Sequence, residues 1–415
     1  MQRGAPRPRQ GGAAALLMTT LLFFAMLLGV AYSHRELIVE QRTAANQVRS
    51  TQAFEAAEAG LEWVIARIND NRRIGDDCEP LGGGAASLRD RWLRFEPASR
   101  RHLPITWHDG AGEVPTEAAC VRGADGWICH CPAGAFALAP PAAAAAAAFR
   151  VHVMPGDRPG AVRVVSSGCV GVANACRGAA DELGATARLE VALGLLPALR
   201  SLPVAALTAR GDIASGAGFA AKNADPSSGV ALHAGARIDA PHVELAGPAG
   251  SALATTAIAG DAAVAAQPPE RLFAALFGAE PARWSTQPNV VEVECALDCA
   301  GALSRALSGG GENAILHVSG DASLVGPVTL GSPRAPVLIV ASGTLALSGA
   351  VSVQGVVYAG ALAWTGSGGA IHGAAISESD YTGSGSPSFV YDPLVLERLR
   401  GAGTFARVSG SWRDF

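Results

Sequence analysis

The residues best suited to chemistry form the run Cys120 to Cys131, where Cys120, Cys129, His130 and Cys131 are all zinc-ligand types. One residue separates Cys129 from Cys131, whereas paired zinc ligands favour two to four between them. Disulfides are the better reading for a chain carried past a membrane, into an oxidising compartment. Cys169 and Cys176 bracket one short loop and Cys295 and Cys299 another, so each reads as a local pair. Cys78, Cys120, Cys129 and Cys131 then allow three connectivities. A second constellation is the repeated Gly-Asp step, with Asp212, Asp261 and Asp321 following Gly211, Gly260 and Gly320. A carboxylate ladder of that kind could serve polysaccharide chemistry or bind a ligand. Thr344 and Ala361 interrupt it, however, and Asp after Gly is a common turn residue because its side chain bonds nearby backbone. Glu378 and Asp380 read as a loop, and the Gly/Ser-rich run after them lacks the strand, helix and lysine of a phosphate cradle. The chain's single lysine is Lys222. His152 falls on the polar face of an alternating run, without a catalytic partner. These residues predict no enzyme, no cofactor and no metal.

The elements that position these residues begin with an uncharged run. Ala13 to Tyr32 has no charged side chain and is long enough to cross a ~30 Å hydrocarbon core as a helix. Arg3, Arg7 and Arg9 precede it without an acid, which keeps the N-terminus cytoplasmic and sends the rest of the chain across the membrane. A cleavable signal ending at Ala31-Tyr32-Ser33 is the competing reading. Neither Gly nor Pro interrupts the sequence from Ser33 until Gly60, and the helical pattern runs to Asn69. Val48, Phe54, Ala57, Leu61, Val64 or Ile65, and Ile68 recur mostly three and four apart, which is one face of a helix. At 1.5 Å per residue the whole helix would be roughly 85 Å long. Its first half would be apolar all round and its second half two-faced.

Composition bounds the remainder. With 415 residues the chain can hold two or three domains, and 16% charged residues with net charge −4 argue against a nucleic-acid partner. Fifty glycines favour turn-rich architecture over a helical bundle. An irregular stretch to about Pro141 and a low-complexity run, Ala142 to Ala148, are expected first. Three alternating runs follow, Phe149 to Met154, Ala161 to Val165 and Ala187 to Leu193, and read as an antiparallel meander with one buried face. Beyond Pro197 short aliphatic runs end in turns near Gly211, Gly260, Gly320, Gly343 and Gly360. This pattern suits the rungs of a parallel β-solenoid; a Gly-rich β-sandwich is the alternative. Short helices are predicted from Pro268 to Gly278 and after Pro393, and the aromatic tail is expected to pack back as a strand or cap.

Gly11-Gly12 after the basic leader, the apolar run, Glu40 to Gln47 and the block Gln52-Ala53-Phe54-Glu55-Ala56-Ala57-Glu58-Ala59-Gly60-Leu61 together resemble the N-terminal region of PilX-type minor pilins. Tyr391-Asp392-Pro393 and the closing Ser411 to Phe415 resemble the same family more loosely. The resemblance implies an α+β fold: a long N-terminal transmembrane-to-amphipathic helix packed on an antiparallel pilin-like meander, followed by the β-rich, solenoid-like domain. Its divisions would be a leader (1–12), the helix (13–70, with 13–32 in the membrane), a pilin-like unit with an irregular Cys-containing insertion (71–198) and the distal domain (199–415). Prepilin peptidase would cut after Gly12, or Gly11, leaving Ala13 first, and Phe54, Leu61, Val64 and Ile68 would pack the helix. Leu17 stands where major pilins carry a glutamate that pairs with a neighbour's amine, which suits a priming or tip subunit. The implied partners are other pilin subunits, the inner membrane and a surface or cell ligand for the distal domain. The implied role is non-enzymatic assembly, priming or tip display of a type IV pilus, from an inner-membrane protein with its bulk in the periplasm. A tip pseudopilin of type II secretion, or a membrane-anchored carbohydrate-binding or carbohydrate-active β-solenoid protein, are the alternatives.

Overall fold

The computed structural model describes residues 12–81, 86–134, 146–170, 176, 184–295, 298–312 and 314–415. The leader up to Gly11 and most of the alanine run (142–145) lie outside these residues; Ala147 and Ala148 open a strand. One α-helix spans Gly12–Ile68 without a break. Its seven buried residues all lie between Ala53 and Ile68, so only the final quarter packs on the protein. Val48, expected on the packed face, is exposed, because the sheet does not extend that far along the helix.

The sheet beneath the helix is antiparallel, with spatial order Trp127–Ala133, Glu117–Arg122, Ala147–Pro155, Ala161–Val170, Ala185–Pro197 and Gly403–Arg407. The three central strands are the expected meander, in register with Val164 opposite both Val153 and Val191. Alternation places Val151, Val153, Val162, Val164, Leu189, Val191 and Leu193 in one core with Leu61, Val64 and Ile68. Each such side chain contributes roughly 1.5–3 kcal/mol when fully buried.

Two expectations are corrected. The stretch to Pro141 is not simply irregular: Glu117–Arg122 and Trp127–Ala133 extend the main sheet, with Cys120 directly opposite Cys129. The Gly and Pro around these short strands hide their period of two. The division at residue 198 also fails at the tail, because Gly403–Arg407 and Arg413–Asp414 both pair with Ala185–Pro197. Phe405 belongs to the helix core.

Residues 205–391 form a second sheet whose ladders are parallel. Val290 lies opposite Ile315, Ile315 opposite Leu338, Val340 opposite Tyr358, and Val357 opposite Ala375. Leu207 then lies opposite Ala375 on one side and Leu232 on the other, and Leu232 opposite Ala257. The later strands therefore stack back onto the earliest one. The segment joining the two ends includes Pro269–Phe277, which starts after Pro268 and stops at Gly278 in the left-handed conformation (φ 80°). Phe273 and Phe277 from this helix meet Tyr358 edge-on, with ring centroids 5.3 and 5.2 Å apart.

Two of the Gly-Asp steps, at Asp212 and Asp321, and the Ser379-Asp380 turn are corners of this stack. Asp212 accepts from the Arg237 amide at 2.8 Å, Asp321 from the Thr344 amide at 2.7 Å, and Asp380 from the Asp212 amide at 2.7 Å. Each carboxylate thus satisfies an amide in the neighbouring layer. Asp261 instead caps Ala262–Ala265 and bonds His233 at 2.8 Å.

The two sheets meet along a seam. The Ala198 amide donates to the Ala402 carbonyl at 2.8 Å, and the Gly311 amide to the Asn71 carbonyl at 2.6 Å. His102 lies in this seam between the Phe95 and Phe405 rings, and its Nε2 donates to the Gly401 carbonyl at 3.0 Å. Burial, aided by the Arg89 charge, pushes its pKa down to about 3. The folded state therefore holds a neutral imidazole that the unfolded chain protonates below about pH 6.5, so stability falls as pH drops from there towards 3. By pH 5 this amounts to about 2 kcal/mol. Thermal unfolding between pH 7 and pH 5 checks it: the loss should be smaller in His102→Gln than in the native chain.

Candidate functional site

The helix is the candidate site, and it has two parts of opposite character. From Gly12 through the apolar run it is not buried by any of the described residues, and Leu16, Leu17, Leu21, Phe23, Phe24 and Leu28 are all more than half exposed. Such a surface requires lipid or other apolar helices around it. Gly12 and Ala13, the residues flanking the expected cut, open the helix and are exposed.

The second part is a close-fitting seat. Ala53, Ala57 and Gly60 face the strands Ala147–Pro155 and Ala161–Val170. A Cβ on Gly60 would collide with the Ser166 hydroxyl and stand 2.9 Å from the Phe149 ring. From the other side, a Cβ on Gly168 would run into the Ala53 carbonyl and the Ala57 backbone. The small residues of the Ala53 to Gly60 block therefore exist to bring helix backbone against strand backbone. Beyond this contact Leu61, Val64 and Ile68 fill the core. Phe54, predicted to pack, does so at the margin, edge-on to Trp412 with centroids 6.2 Å apart.

The end of the helix is held by polar groups. Asn69, buried, donates from Nδ2 to the Phe405 carbonyl at 2.9 Å and accepts the Phe405 amide at 2.7 Å. Arg89 donates to the Ile68 carbonyl at 3.0 Å and the Gly403 carbonyl at 2.6 Å, with its guanidinium 4.9 Å from the Phe405 ring centroid. Burial lowers its pKa to about 10, which leaves it charged at neutral pH. A cation on the last helical carbonyls also complements the helix dipole. Glu62 and Arg407 form an ion pair farther along the same contact.

The sequence reading missed Asn69, Arg89, Gly168 and Phe405. Gly168 inside an alternating strand was the one readable signal, since such a glycine marks close backbone approach.

Cys78, Cys120, Cys129 and Cys131 pack in the helix core, whereas Cys295 and Cys299 belong to the second sheet. Cys78 joins Cys131, Cys120 joins Cys129, Cys169 joins Cys176 and Cys295 joins Cys299. The thiolates that a zinc site at Cys120, Cys129 and Cys131 would need are in disulfides. His152, expected on the surface, is half-buried opposite Glu117, and its pKa is lowered chiefly by that burial.

Gly168→Val is expected to unseat the helix and destabilise the globular part by several kcal/mol, as overpacking against backbone does. Leu61→Asp, which puts a charge into the core, is expected to have a comparable effect. Thermal unfolding of the detergent-solubilised chain reads both. Asn69→Ala, which orphans the buried Phe405 amide, should cost about 2–3 kcal/mol in the same assay.

A family model described as PilX N-terminal matches residues 11–62, ending within the seated quarter of the helix. No curated protein sequence matches the chain. Among solved structures, the competence-associated pilin ComZ from Thermus thermophilus aligns over 88% of this chain and 97% of its own, at 15% identity and a TM-score of 0.23.

Proposed function

We propose, from the match of residues 11–62 to the PilX N-terminal model, that the chain is a non-enzymatic minor pilin that takes part in assembling, priming or tipping a type IV pilus. The observation that carries this reading is the unbroken helix, bare and apolar through Tyr32 and seated in a globular unit at its end. Residues 13–32 anchor it in the inner membrane, with the N-terminus cytoplasmic and the bulk periplasmic. The same bare surface then packs against the helices of other pilin subunits.

In this reading residues 1–12 are a leader removed by prepilin peptidase at Gly12-Ala13. The parallel stack after residue 199 is a β-solenoid displayed outward, where it meets other minor pilins, a surface or another cell. Leu17 marks a subunit without a neighbour towards the tip, because a carboxylate in hydrocarbon persists only when paired. The corner carboxylates support a non-catalytic stack: Asp212 and Asp321 of the Gly-Asp steps, and Asp380, each hold a backbone amide of an adjacent layer.

Deleting the gene is expected to reduce or abolish surface pili, read by electron microscopy of sheared filaments. Undiminished piliation together with glycan binding by the chain would favour the membrane-anchored carbohydrate-binding alternative. Gly12→Ala is expected to retain the leader, seen on an immunoblot as a slower band. Equal mobility would place the cut elsewhere or nowhere.

A further inference from the structure

The seam between the two sheets opens into a cleft of about 500 Å³, bounded by the hairpin Leu93–Glu96 and Arg101–Pro104, by Glu312 and Arg334 of the second sheet's connections, and by helix Pro393–Gly401. Some of its charges are already used. Arg89 holds helix and strand carbonyls, Asp90 accepts from the Ser87 hydroxyl at 2.8 Å and the Glu312 amide at 2.9 Å, and Glu96 accepts from Ser99 at 2.6 Å. Arg94, Arg334 and Arg398 form no ion pair among the described residues, and Arg398 spends one Nη1–H on the Arg334 carbonyl at 3.5 Å. Arg398 acts on the Glu312 carboxylate, and the four lining guanidiniums of Arg89, Arg94, Arg334 and Arg398 outnumber the three carboxylates of Asp90, Glu96 and Glu312, so the cleft keeps an excess of positive charge.

Two buried polar atoms on its walls lack partners, and they are of opposite kinds. Arg398 Nε is a donor without an acceptor. His102, 3% exposed, uses Nε2–H on the Gly401 carbonyl, so its unpartnered Nδ1 is a bare lone pair without a donor. Unmatched buried groups of this sort are costly unless something binds them. Phe95 and Ile105 supply an apolar wall beside them.

We propose that this cleft binds a small organic or inorganic anion that carries its own hydrogen-bond donor. A carboxylate with an adjacent N–H or O–H, or a hydrogen phosphate, has this chemistry. Its negative oxygens meet Arg334, Arg398 and Arg94, and its donor meets His102 Nδ1. Inter-unit clefts with a few convergent polar groups are common ligand sites. Neither the membrane anchor nor the pilus reading enters this inference, so either can fail alone.

The test is isothermal titration calorimetry on the full chain in detergent, with N-acetylglycine and inorganic phosphate as probes and acetate as the donor-less control. Saturable binding of N-acetylglycine, phosphate or both at millimolar concentration or below is expected, with acetate at least tenfold weaker. Arg334→Gln, at an exposed position, should weaken the bound probe by roughly tenfold while leaving thermal unfolding unchanged. His102→Phe should remove the preference over acetate. Should that variant fail to fold, Arg398→Gln tests the same wall. Absence of saturable binding by either probe, or identical titrations in the native chain and Arg334→Gln, overturns the site. Acetate binding as tightly as N-acetylglycine overturns the role given to His102. A high-resolution structure with only water on both unpartnered atoms at saturating probe also overturns the site.

Discussion

The close approach between one helix and one sheet governs this molecule. Dispersion falls away steeply with distance, and packed interiors tolerate little mismatch, so the seat works only if nothing larger than a methyl group intervenes. Ala53, Ala57 and Gly60 on the helix and Gly168 on the strand meet that requirement from both sides. The large apolar residues Leu61, Val64 and Ile68 then fix the rotation of the helix. A helix held over only its last quarter would otherwise swivel; the paired bonds of Asn69 and the grip of Arg89 pin its end.

That arrangement accounts for the division of labour along the rod. None of the described residues covers Leu16 to Leu28, so the apolar run to Tyr32 is available to lipid or to similar helices. The two-faced second half gives its small-residue side to the sheet while Glu55, Glu58 and Glu62 remain exposed. One continuous element thereby joins a bare apolar stretch to a packed globular unit without a hinge.

Much of this was legible in the residues. The uncharged run, the uninterrupted helical pattern and the three alternating strands are local signals, and the helix bounded by Pro268 and Gly278 carries its own punctuation. What could not be read is long-range. Pairing of Gly403–Arg407 with Ala185–Pro197 joins residues far apart in the chain, and no local period announces it. Likewise Leu207 meets Ala375 because the stack closes on its first strand, whereas sequence periodicity reports only forward neighbours. Asn69 and Arg89 look like ordinary surface residues until Phe405 arrives beside them. The cleft at the seam is invisible for the same reason, since His102, Glu312 and Arg398 come from three separate stretches.

The return of Gly403–Arg407 to the first sheet has a temporal consequence. The groups that lock the helix end, the amide and carbonyl of Phe405, leave the ribosome hundreds of residues after Asn69 does. A truncated polypeptide would keep its apolar helix yet lack the edge strand that locks its rod in place. Completion of synthesis is thus written into the very joint that orients the anchor, and unfinished copies would be betrayed by a loose, protease-accessible stem.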